Sequence, residues 1–122
     1  MSVDFMNMNN DVIGLFFESW RFSKVFRDIM PKLSEEDSVR FSGRYSWFCR
    51  RLEEIASNLG LKIIEITPGT VYDVGMAVAP VNIDDFNIGD SLCVVNMIEP
   101  IIMSGDTVIK NGTVILERAE DL

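Results

Sequence analysis

Val12, Ile13, Phe16, Phe17, Trp20, Phe26 and Ile29 recur at three- and four-residue steps, the spacing of one helical face. Asn9, Asn10 or Asp11 offers that helix a cap, and Pro31 stops it. A second apolar face follows through Phe41, Tyr45, Phe48, Leu52, Ile55 and Leu59. Ser34 is its expected N-cap, Glu35, Glu36 and Asp37 set negative charge at the positive end of the helix dipole, and Gly60 ends it. The short link through Pro31 and Lys32 makes the two helices an antiparallel hairpin.

Beyond Gly60 the apolar period falls to two, or becomes a continuous run bounded by turn residues. Residues 61–67 read as a strand ended by Pro68 and Gly69, residues 76–81 as a second and residues 91–98 as a third. A polar loop over residues 82–90 separates the last two. Pro100 marks an edge or bend before a short run at 101–103, and Ser104, Gly105 and Asp106 form a turn. Asn111-Gly112 between the runs 107–110 and 113–117 is the strongest short-range hairpin signal in the chain. Helices followed by strands predict an α+β protein, with a helical hairpin over residues 1–60 and a small β domain over 61–122.

Composition sharpens this division. Ten of the twelve aromatic residues precede Gly60, while Val, Ile and Thr number seven before it and twenty-two after it. Residues 1–60 carry eight basic and nine acidic groups and residues 61–122 carry three and ten, so −7 of the net charge of −8 belongs to the second half. Such a balance repels phosphate backbones and anionic lipid, so neither nucleic acid nor membrane is an expected partner. The 122-residue chain contains no histidine, which removes imidazole-based triads, His-bearing zinc sites and imidazole proton shuttles. Cys49 and Cys93 do not form a C-x-x-C pair and read as two buried, reduced thiols. With no basic leader and no long apolar stretch, a cytoplasmic location is expected.

No residue set carries catalysis. Asp84, Asp85, Asn87 and Asp90 lack the glycine and terminal glutamate of a calcium loop and read as a solvated loop. Glu53 and Glu54 lie within helical pairing distance of Arg50 and Arg51. No phosphate-binding Gly-rich pattern exists, and no metal or cofactor is expected. Gly43 interrupts a helix at a cost of about 1 kcal/mol relative to Ala. It marks a local irregularity, close packing against the first helix, or a place where a partner's backbone or side chain approaches. Phe16, Phe17, Trp20, Phe22, Phe26, Tyr45, Trp47 and Phe48 cover more than one helical face, more than one hairpin hides. Two hairpins packed as a four-helix bundle would bury both faces, so a homodimer is expected, with Phe16, Phe17, Trp20, Tyr45, Trp47 and Phe48 at its contact.

From Leu15 to Ala119 the order of elements resembles the C-terminal portion of GrpE, the nucleotide-exchange factor family of DnaK-type chaperones. The run NLGLKIIEITPGTVYDVGMAV is similar to the family's passage from bundle helix through a Gly-bounded strand to an aromatic-Asp-Pro motif, matched by Tyr72 and Asp73. The run from Asp84 through VVNMIEPIIMSGDTVIKNGTVILERA resembles its closing hairpins, with Lys110 at the usual arginine and Val114 and Leu116 on the alternating apolar positions. Val74 replaces the motif's proline, Met76 lies near the position of a usual histidine, Pro100 stands near the usual Gly-Tyr pair, and Asn111-Gly112 replaces Pro-Ala or Ala-Ala. The long N-terminal coiled-coil helix has no counterpart before the first helix.

The resemblance implies a GrpE-type β domain on a dimeric helical stalk, a non-enzymatic co-chaperone that binds a DnaK-type ATPase domain and promotes nucleotide exchange. It places the partner contact at Gly43, Asp73, Met76, Met97, Glu99 and Lys110. An adaptor or regulatory module on the same fold, without exchange activity, is the alternative. A third reading comes from Gly105-Asp106-Thr107-Val108 and Lys110-Asn111-Gly112, which echo biotinyl or lipoyl carrier hairpins. The required lysine between methionines or acids at a hairpin tip is absent, since the second half holds only Lys62 and Lys110.

Overall fold

The computed structural model describes residues 2–122, with side chains from Asn10 onward. The chain is α+β and divides into two compact units, Met1–Gly60 and Leu61–Leu122.

In the first unit, helix α1 spans Ser2–Ile29. It runs through residues 9–11, so the helix begins at none of the three expected caps. Short polar side chains disfavour a helix interior by only about 0.7 kcal/mol or less, too little to break a long apolar-faced helix. A 3-10 turn at Met30–Lys32 contains Pro31 and reverses the chain. Helix α2 spans Glu35–Asn58. Its first turn is capped as the sequence predicts, the Ser34 hydroxyl accepting the Asp37 N–H at 3.1 Å. Gly60 follows with φ +75°, a left-handed conformation that glycine adopts without a Cβ penalty. Phe26 of α1 meets Phe41 edge-on at 6.5 Å and stacks on Tyr45 at 6.1 Å, tying the two helices together.

The second unit holds seven strands: β1 Leu61–Ile64, β2 Thr70–Val71, β3 Val78–Pro80, β4 Leu92–Glu99, β5 Ile101–Ser104, β6 Thr107–Lys110 and β7 Gly112–Arg118. They form a three-stranded sheet in the order β1-β5-β6 and a four-stranded sheet in the order β2-β4-β7-β3. All pairings are antiparallel except β3 with β7.

The expected Asn111-Gly112 hairpin does not form. β6 pairs with β5 and β7 pairs with β4 and β3, so Asn111 carries the chain from one sheet to the other. The hairpin turn lies instead at Gly105, whose φ is +59°. Gly112 has no positive φ; it is glycine because there is no room beside it. A Cβ there would stand 2.8 Å from the Glu99 carbonyl oxygen, 2.8 Å from Met97 Cε and 3.2 Å from Ile101 Cγ1. Pro100, fully buried, makes the other crossing between sheets, from β4 to β5.

Val94, Met97, Val114 and Leu116 of the larger sheet and Ile101 and Ile102 of the smaller one are buried and form the core. Register shifts after Val94 and after Met97 make this possible. Strict alternation from Val94 would send Asn96 inward; the extra residue Val95 instead places Met97 opposite Val114, inside the core. A second extra residue, Ile98, returns Glu99 to the opposite face, across from Thr113.

Past β3, Asn82 takes over the role of a strand. Its Nδ2 donates to the Leu116 carbonyl at 2.9 Å and its Oδ1 accepts the Leu116 N–H at 3.0 Å, closing the edge of β7.

Candidate functional site

Two surfaces, one on each unit, stand out by chemistry. On the helical hairpin an apolar groove opens between α1 and α2. Its larger part, about 550 Å³, is lined by Val12, Leu15 and Phe16 of α1 and by Trp47, Leu52 and Ile55 among others of α2. A neighbouring hollow of about 300 Å³ is lined by Phe22, Phe26, Phe41, Tyr45 and Arg44. Phe48 borders both. Leu15, Phe22 and Trp47 are 68%, 69% and 56% exposed, far more than large apolar side chains in a covered helix face. The basic side chains on α2 run alongside: Arg40 and Arg44 stack over Phe41 at 5.3 and 5.7 Å, and Arg51 pairs with Glu54 at 2.8 Å.

The residues expected at a dimer contact separate into two sets. Phe16, Phe17 and Trp20 are buried in a single copy of the chain and need no second copy to cover them. Trp47 and Phe48 are exposed and Tyr45 is half-buried. Leu15 and Phe22 complete the exposed groove with them; Leu15 escaped the sequence reading because it falls off the stripe that Val12, Phe16 and Trp20 define. Gly43 is exposed on α2, and a Cβ there would meet nothing within 4 Å. Close packing on α1 is thereby removed as the reason for that glycine.

On the β unit, Asp73 and Met76 share one turn. The Met76 N–H donates to the Asp73 carbonyl at 2.9 Å, the Asp73 N–H donates to Met76 Sδ at 3.2 Å, and the Gly75 N–H donates to Asp73 Oδ1 at 3.1 Å. Val74 projects from the turn, 87% exposed. Met97 sits elsewhere in kind. It is 3% exposed, its methyl packs where Gly112 leaves space, and its sulfur accepts the Ile66 N–H at 3.4 Å, so it shapes the core and offers no surface. Glu99 is half-buried and its carboxylate accepts the Thr113 hydroxyl at 2.5 Å. Lys110 lies exposed at the end of β6, two residues before Gly112.

The acidic loop before β4 is ordered by its own chemistry. Asp90 Oδ2 accepts the Asn87 N–H at 2.9 Å and pairs with Arg118 Nε at 3.3 Å, while the Arg118 guanidinium lies over Phe86 at 5.5 Å. The Asn87 N–H above all holds the Asp90 carboxyl below its usual 3.8; burial opposes it, and Arg118 adds smaller lowering contributions through its hydrogen bond and its charge. Among the described residues no group of His, Cys, Asp and Glu is placed to hold a metal ion, and no helix is long and apolar enough to cross a membrane. Cys93 is buried, Cys49 half-buried, and both are free thiols.

The features together define an α+β protein with an open apolar groove on a helical hairpin and an acidic two-sheet unit. Compared with known proteins, the chain matches no family model, no curated protein and no solved structure.

Proposed function

We propose that this chain is a GrpE-like co-chaperone: two copies pair through the helical hairpins, and the acidic β unit engages the ATPase domain of a DnaK-type chaperone and promotes nucleotide exchange. The observation that carries the reading is the open hairpin groove: its exposed Leu15, Phe22 and Trp47 leave an apolar face of the kind that a second hairpin would cover in a four-helix bundle. Exchange needs no catalytic side chain. A factor that binds the open, nucleotide-free cleft more tightly than the closed one shifts the population toward release. Asp73, Met76, Glu99 and Lys110 are the β-unit groups at which the resemblance places such a contact, and Gly43 is a helical position open to close approach.

Release of a fluorescent nucleotide from a DnaK-type ATPase domain, with and without this protein, tests the exchange step. Faster release supports it, and an unchanged rate with the chaperone from the same source removes it. Val74 favours one further reading, an adaptor on the same fold without exchange activity. Where the resemblance leads one to expect a proline beside Asp73, the turn is held by a methionine sulfur and displays an exposed valine. Binding of that ATPase domain with no change in release would select this alternative.

A further inference from the structure

Strand β2 is only two residues long and lies at the edge of its sheet, yet it is fastened on both sides by methionine sulfur. On its N-terminal side Met97 Sδ accepts the Ile66 N–H, and on its C-terminal side Met76 Sδ accepts the Asp73 N–H. The two sulfurs differ in access: Met97 is 3% exposed, whereas Met76 is half-buried and belongs to a surface turn. We infer that Met76 is an oxidation site and that the 73–76 turn is a redox-sensitive element, opened when its thioether becomes a sulfoxide.

The chemistry is a two-electron oxygen transfer from a hydroperoxide. A sulfur lone pair attacks the distal peroxide oxygen, the O–O bond breaks, and the departing oxygen takes up the proton to leave as water or an alcohol. The sulfur is oxidised by two electrons and the peroxide is reduced by two. The added oxygen occupies a lone-pair direction on sulfur and turns an apolar, flexible side chain into a polar one. The sulfoxide is bulkier and hydrated, and its oxygen, a stronger acceptor than the thioether, stands out from the turn. The Asp73 N–H leaves the sulfur that holds it at 3.2 Å for that oxygen or for water, and the opposite bond, from the Met76 N–H to the Asp73 carbonyl, is left to close the turn alone. Val74 and Asp73, both exposed, move with it. Met97, inside the core, keeps its bond to Ile66 and holds the other side of β2 in place.

The full-length protein is treated with limiting hydrogen peroxide; sulfoxide is located by peptide mass mapping, and amide exchange is followed residue by residue by NMR. Met76 is expected to oxidise well before Met97, and exchange of the Asp73 amide to speed up roughly fivefold, in proportion to one lost hydrogen bond. Methionine sulfoxide reductase should restore the original rate. The variant Met76→Leu should exchange at the faster rate without peroxide and show no further change with it, which separates Met76 from the other methionines. Met76 staying reduced until Met97 reacts, or an Asp73 amide unchanged within about twofold after Met76 has oxidised, overturns the inference. If M76L fails to fold, the peroxide arm on the native protein decides alone. A weakened chaperone contact after oxidation would rest on the proposed function; opening of the turn does not.

Discussion

Two glycines in this chain carry opposite physical meanings. Gly112 is enclosed, with a backbone oxygen and a methyl group at 2.8 Å from any added Cβ. Gly112→Ala should therefore lower stability by about 1–3 kcal/mol, read as a lower denaturant midpoint. Gly43 faces open space, so Gly43→Ala should raise the stability of α2 by about 1 kcal/mol and, under the proposed function, weaken the chaperone contact. Stability and binding would then move in opposite directions. Asp90 supplies a pH test. Its folded pKa lies below 3.8, so its contribution is fully present above that value and is lost as pH falls through the lowered one. Asp90→Asn should flatten the acid limb of stability against pH and leave the slope near neutrality unchanged, as followed by urea unfolding from pH 2 to 7. The sequence displayed Asp90 only as one acid of a polar loop; its partner Arg118 lies at the far end of β7.

At the level of elements, local chemistry was legible where it acts locally. The Ser34 cap and the Gly60 stop involve neighbours within a few residues, and both stand where the pattern places them. The Asn111-Gly112 signal failed because strand pairing is decided by partners far along the chain: β4 outcompetes β6 for β7 across a long antiparallel ladder. The bulges at Val95 and Ile98 were hidden for the same reason, since only the register against β7 shows which residue is extra. Edge protection of β7 by Asn82 is likewise a long-range device. Asn82→Ala leaves the Leu116 N–H and carbonyl without their partners and should destabilise the unit by about 1–3 kcal/mol, with faster amide exchange at Leu116.

For the whole molecule, the open groove sets the decisive measurement. Size-exclusion chromatography with light scattering should report a dimer for the native chain and a monomer for the double variant Phe22→Glu and Trp47→Glu, with helix content retained because both side chains are exposed. A native monomer would remove the bundle. Part of this surface was readable beforehand: ten aromatics in the first half exceed the capacity of one hairpin. Which of them remain outside was not, because Phe16, Phe17 and Trp20 lie on the covered face of α1 while Phe22 turns outward, a distinction of helical angle resolved only by what packs against it. The amino-acid pattern by itself determined that helices precede strands, that the first helix stops before Pro31, that the second is capped by Ser34 and stopped at Gly60, and that the negative charge gathers in the β half. These follow from side-chain shape, local hydrogen bonding and composition. The tertiary structure alone decided how strands divide between two sheets, why Gly112 must be glycine, and that Met97 is core while Met76 is surface. Each of these depends on groups brought together from distant parts of the chain.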